Sequence, residues 1–139
     1  MSAPIDAVRA YFEALQAADV ARMGALYGEH AYFRDPFNEV RGLAAVQRIF
    51  VHMFESVDAP RFVVRDAFAQ GEQGFLTWDF HFVARGKPML IHGSSHLRFA
   101  PDGKVIYHRD YWDAAEELWE KVPLLGGLLR TLKKRLRAH

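Results

Sequence analysis

The chain has 139 residues, half of them apolar and 14% aromatic, with no cysteine and a formal net charge of +1. That length fits one domain with its own core, and the apolar content excludes a disordered chain. The lack of cysteine excludes disulfides and thiolate chemistry, and a near-neutral charge gives no broad basic face for nucleic acid.

Charge is unevenly placed: Arg130, Lys133, Lys134, Arg135 and Arg137 crowd the last ten residues and leave a mildly acidic body. No basic segment followed by an apolar run opens the chain, and no apolar run approaches membrane-spanning length. A cytoplasmic location is the expectation.

Pro4 suits the first position of a helix, and Ile5, Val8, Phe12 and Leu15 follow at helical spacing, with Tyr11 beside the stripe. Asp19 suits the N-cap of a second helix carrying Val20, Met23, Leu26 and Tyr27, with Gly28 placed to end it. A short strand and turn then run from Tyr32 to Gly42. A third helix carries Val46, Ile49, Phe50, Met53, Phe54 and Val57 on one side and closes at Pro60.

From there the period becomes alternating. Strands are predicted over 61–70, 75–85, 89–100 and 104–112, separated by the turns Gly71–Gly74, Gly86-Lys87-Pro88 and Pro101-Asp102-Gly103. Helices followed by an antiparallel meander predict an α+β domain, the helices covering one face of the sheet. The chain is read as a single domain over 1–139. Within it, 114–139 forms a C-terminal helical extension, interrupted at Pro123 and loosened at Gly126-Gly127. Leu128, Leu129, Leu132 and Leu136 oppose the basic residues there. The segment is an amphipathic helix packed on the domain, a partner-binding helix or, through 124–139, a weak membrane-surface contact.

The stretch Tyr32-Phe33-Arg34-Asp35-Pro36-Phe37-Asn38 places one carboxylate among rings and before a proline. Proline holds the preceding residue extended, and apolar surroundings disfavour an ionised carboxylate, so the pKa of Asp35 is expected to rise toward a general base's range. The alternative is an Asx turn through Asn38, with Asp35 capping its own loop.

The order helix, helix, Asp-Pro-Phe strand, Gly-led helix and long strands ending in Tyr-Trp resembles the cone-shaped NTF2-like superfamily, within it the ketosteroid isomerases and SnoaL-like proteins. The resemblance covers about residues 5–113 and is carried by Tyr27, Ala31, Asp35-Pro36-Phe37, Gly42, Pro101-Asp102-Gly103 and Tyr111-Trp112. It implies an NTF2-like cone with N-terminal helices on a curved antiparallel sheet. It also implies Asp35 as the base that moves a proton beside a carbonyl, and Tyr11 as an oxyanion donor. The neutral acid that is the family's second donor is replaced by Ser95, and a supporting phenol by Phe50, which weakens steroid chemistry in particular.

Strand parity turns Ile91, Gly93, Ser95 and Leu97 to one face, as it does His108, Asp110 and Trp112, and Leu76, Trp78, Phe80 and Phe82. The predicted pocket holds Asp35, Tyr11, Asp110 and Ser95 as catalytic candidates. Its ligand-contacting walls are Phe37, Phe50, Phe54, Trp78, Phe80, Phe82, His108 and Trp112. Asp110 is expected either to replace the missing acid, protonated and donating, or to pair structurally with Arg34, Arg109 or His108.

His92 and His96 share a strand face but lie too far apart for one ion, at ~3.3 Å per residue, so no metal site is expected. No cofactor is implied. The expected partner is a small apolar or carbonyl-containing molecule, in a homodimer formed through the outer sheet face. The function read from the sequence is binding of a small, largely apolar molecule in an aromatic cone pocket and, on that pocket, cofactor-independent proton transfer beside a carbonyl with Asp35 as base. The alternatives are a non-catalytic binding module, or an epoxide hydrolase-like water activation, although the Arg-x-Asp pair of limonene epoxide hydrolases is replaced here by Asp79 and His81.

Overall fold

A computed structural model describes residues 3–113; the predicted C-terminal helix over 114–139 lies outside them. Helix α1 spans Pro4–Glu13, and a 3₁₀ helix spans Ala17–Ala25. Strands β1 (Tyr27–Arg34) and β2 (Glu39–Arg41) follow, then helix α2 (Leu43–Ser56). The long strands are β3 (Asp58–Gln70), β4 (Gln73–Ala84), β5 (Lys87–Phe99) and β6 (Val105–Tyr111).

Pro4 opens α1, where a missing N–H costs nothing, and Ile5, Val8 and Phe12 are buried at helical spacing. The 3₁₀ helix starts at a reciprocal cap, in which the Gln16 amide N–H donates to the Asp19 carboxylate at 2.8 Å. It ends sooner than the apolar spacing predicts. Tyr27 and Gly28 belong to β1, because Tyr27 pairs with Val105 and the Val105 N–H donates to the Leu26 carbonyl. At α2 the chain enters through Gly42 at φ 104°, a left-handed conformation that favours glycine.

The six strands form one open sheet in the order β2-β1-β6-β5-β4-β3. All neighbours are antiparallel except β1 and β6, which run parallel. The four-strand antiparallel meander of the sequence reading is therefore part of a six-strand mixed sheet. Turn residues announce hairpins, but the β1–β6 pair joins segments more than seventy residues apart and leaves no local signal. Pro60 lies inside β3, next to a register irregularity between Asp58 and Arg61, where its missing N–H is tolerated.

The helices cover the inner face, α1 against β3, and α2 against both β1 and the 3₁₀ helix. Between helices and sheet lies a core that includes Val8, Phe12, Met23, Phe33, Val46, Leu97 and Val105. Among the described residues no helix is long and apolar enough to cross a membrane.

Gly93 on β5 sits opposite Trp78 on β4, and a Cβ there would meet the indole at 2.4 Å. The missing side chain lets the Trp78 ring lie across β5. Gly93→Ala is expected to destabilise the fold by about 1–3 kcal/mol through overpacking. Urea denaturation would measure it, and a change in the near-ultraviolet circular dichroism would report the displaced indole.

Candidate functional site

Five side chains form one buried hydrogen-bonded chain beneath the helices. Trp78 Nε1–H donates to Ser95 Oγ at 2.8 Å, and Ser95 Oγ donates to Asp110 Oδ1 at 2.5 Å. From the other side, Tyr27 Oη lies 2.6 Å from His108 Nδ1, and His108 Nε2 lies 2.6 Å from the same Asp110 Oδ1.

The ends of this chain fix the direction of its protons. An indole N–H only donates, so Ser95 accepts from Trp78 and directs its own hydrogen to Asp110. Tyr27 is 1% exposed, and burial, with the nearby Asp110 charge, holds its phenol well above its usual pKa. A buried phenol needs an acceptor for its proton, and the partner it has is His108 Nδ1. His108 is therefore the neutral tautomer with its proton on Nε2, donating to Asp110. Both arms end on one carboxylate oxygen.

That arrangement bears on two sequence expectations. Asp110 Oδ1 accepts from both arms, so the pairing with His108 is present in the fold. Ser95 lines the cavity, but its single hydrogen is directed to Asp110.

Tyr11 is placed away from the predicted site: its hydroxyl donates to the Asp19 carbonyl at 2.7 Å, and it lines neither chamber of the cavity described below. Burial raises its pKa, with Arg22 opposing. The 24-residue interval to Asp35 measures distance along the chain, and the 3₁₀ helix carries that interval elsewhere in space.

Asp35 combines the turn and the raised acidity. Its Oδ1 accepts from the backbone N–H groups of Phe37 at 2.8 Å and Asn38 at 2.7 Å, and the Asn38 amide spans both carboxylate oxygens at 3.2 Å. These bonds favour the ionised form. Burial disfavours it more strongly, and the Asp110 charge adds to that, so the pKa rises from 3.8 to about 6.

Both carboxylates line an internal cavity of two adjoining chambers. The larger, about 70 Å³, holds Asp35 and Asp110 among Phe37, Phe50, Phe62, Trp78, Phe80 and Trp112. The smaller, about 20 Å³, reaches Ser95 and His108 past Phe12. Trp112 sits edge-on to Phe37 at 5.4 Å and 80°, and Asp35, Asp110 and Trp112 also face an outer vestibule. The larger chamber is smaller than the ~150 Å³ of an engineered cavity that admits benzene. It suits a small head group, with any larger ligand extending past Trp112.

Phe37, Phe50, Trp78, Phe80, Trp112 and His108 thus line the cavity as the sequence predicts. Phe82 is buried and stacks on Phe80 at 5.0 Å, and Phe54 packs on the core, but neither faces a chamber. Tyr27 and Phe62 are the participants that sequence reasoning missed. Tyr27 falls on a helical stripe by spacing, and Phe62 lies in a strand whose register irregularities blur its parity. On the outer face, Asp79 is clamped by Arg65 and His92, which with hydrogen bonding to both holds its pKa below the usual value despite burial. Among the described residues no three His, Asp or Glu side chains converge to hold a metal.

Residues 8–108 match the SnoaL-like domain family. The chain belongs to that family. Among curated protein sequences, none matches it. Solved structures share the fold. A Catenulispora acidiphila protein with a ketosteroid isomerase-like fold, in complex with trimethylamine, has 13% identity and a TM-score of 0.71, covering 83% of this chain and 88% of its own. An LEH-like epoxide hydrolase from M. tuberculosis has 22% identity and a TM-score of 0.71, covering 93% of this chain and 91% of its own. A protein assigned as a SnoaL-like polyketide cyclase from Jannaschia sp. CCS1 has 14% identity and a TM-score of 0.71, covering 81% and 87%. What this SnoaL-like chain shares with all three is the NTF2-like architecture.

The raised pKa of Asp35 has a consequence for stability. A carboxylate that ionises at about 6 when folded and 3.8 when unfolded lowers stability as pH rises through 4 to 6. Asp35→Asn is expected to raise stability by about 1–3 kcal/mol at pH 7.5, and by almost nothing at pH 3.5. Thermal melts of both proteins across that range would measure the difference.

Proposed function

We propose that this SnoaL-like protein binds a small, largely apolar molecule in its aromatic cavity and acts as a cofactor-independent enzyme in which Asp35 removes a proton beside a carbonyl. The observation that carries this reading is a carboxylate with a pKa of about 6, held at the mouth of an apolar chamber. A base is most effective when its pKa lies near working pH and its geometry is fixed. The Asx turn supplies that fixing through the Phe37 and Asn38 amides.

The oxyanion side differs from the family expectation. The Tyr11, Ser95, His108 and Trp78 hydrogens are all engaged by protein acceptors. That leaves the Trp112 indole N–H as the one remaining side-chain donor of the larger chamber among the described residues, so proton transfer here suits substrates whose carbanion is stabilised mainly by their own structure. A second reading follows from the same observation: a non-catalytic binding module whose polar groups only shape the cavity. Water activation of the epoxide-hydrolase type has no support, because neither chamber is lined by an arginine among the described residues.

Assembly as a cytoplasmic homodimer through the outer sheet face belongs to the same proposal. Phe68 at 59% and Tyr111 at 44% exposure on that side support it.

The elimination of 5-nitrobenzisoxazole needs a base and no oxyanion donor, so it isolates the role of Asp35. The wild-type rate is expected to rise with pH and level off above about 6, and Asp35→Asn is expected to lower it about 10²- to 10⁴-fold. A rate unchanged by Asp35→Asn, with binding of the probe intact, would establish the non-catalytic reading.

A further inference from the structure

The larger chamber has an unusual balance of charge. Asp35 and Asp110 line it, while no lysine, arginine or histidine among the described residues does. His108, the nearest basic side chain, is fixed as the neutral tautomer by Tyr27 and gives its Nε2 proton to Asp110. Arg34 and Arg109 line the outer vestibule beside the two acids but not the chamber, and Arg109 lies over the Tyr111 ring at 4.7 Å. Two carboxylates thus share a poorly solvated space without a counter-charge.

The hydrogen-bonding balance is equally one-sided. An anionic or carbonyl oxygen entering the chamber would find the Trp78, Ser95 and His108 hydrogens directed to protein acceptors, with the Trp112 indole N–H as the one remaining side-chain donor of the lining among the described residues. Asp110 Oδ2 accepts no hydrogen bond among the described residues, and Asp35 Oδ2 receives one long bond from Asn38. Around them stand the rings of Phe37, Phe50, Phe62, Trp78, Phe80 and Trp112. Aromatic faces carry the negative part of the ring quadrupole and attract cations.

We propose that the cavity takes a small organic cation, the protonated or quaternary ammonium group of its ligand seated between Asp35 and Asp110 and enclosed by the aromatic rings. The chamber volume suits such a head group, with the remainder of the ligand passing Trp112 toward the vestibule. The inference rests on the cavity being a ligand site, which both functional readings share, and not on turnover. It places a positive charge where the proton-transfer reading needs carbanion stabilisation.

Choline and its neutral isostere 3,3-dimethylbutan-1-ol separate charge from shape. Binding to the full chain is read from the indole N–H signals of Trp78 and Trp112 by NMR. Choline is expected to bind at least tenfold more tightly at pH 7.5, and this preference is expected to shrink several-fold by pH 5, as Asp35 takes up a proton. The groups facing the two acids are His108 and Tyr27 behind Asp110, and Arg34, Arg109 and Asp113 at the rim. Asp35→Asn at pH 7.5 would reproduce the reduced preference and assign the pH effect to Asp35. Equal binding of the two isosteres, or a preference unmoved by both pH and Asp35→Asn, would overturn the organic-cation inference while leaving the cavity a ligand site. Binding of neither would overturn the ligand site itself. A loss of choline preference with base catalysis intact, or the reverse, tells the two proposals apart.

Discussion

Two arms of donors end on Asp110 Oδ1, one from Trp78 through Ser95 and one from Tyr27 through His108. Those side chains come from β1, β4, β5 and β6, so this one oxygen ties four strands of the sheet together beneath the helices. Hydrogen bonds in which the acceptor is ionised are shorter and stronger than neutral ones, and a buried chain of them tolerates no missing member. The parallel β1–β6 pair brings Tyr27 within reach of His108, and Gly93 lets the Trp78 indole lie where it meets Ser95. Sheet topology and site chemistry are therefore one problem here.

Asp110 also sets the character of Asp35. Its charge adds to burial in lifting Asp35, against the two backbone N–H groups and the Asn38 amide that favour the ionised form. The turn reading and the base reading of Asp35 are thus not rivals. The Asx turn aims the carboxylate, and the apolar rings with the second acid adjust when it ionises. A general base is better served by this combination than by either part alone.

Much of this was legible in the sequence where local rules apply. Strand alternation put Trp78, Ser95, His108 and Asp110 on the inner face, and each lines the cavity. Pro36 after Asp35 announced the turn. The failures are at places where partners are distant in the chain. Tyr27 fits a helical stripe by spacing, yet pairing with Val105 makes it a strand residue and a member of the network. Tyr11 has the family's interval to Asp35 but bonds to Asp19. Periodicity gave no view of which donor meets which acceptor, so Asp110 could be placed in the pocket but not assigned a direction of hydrogen bonding.

The direction of the proton network is the claim on which the assignments of Asp110, Ser95 and the charge of the cavity all depend. Long-range ¹H–¹⁵N NMR spectra of the ring nitrogens of His108 test it directly. The account requires a protonated, pyrrole-type Nε2 facing Asp110 and an unprotonated, pyridine-type Nδ1 facing Tyr27 at neutral pH. A proton on Nδ1 with Nε2 bare, or both nitrogens protonated, would contradict it.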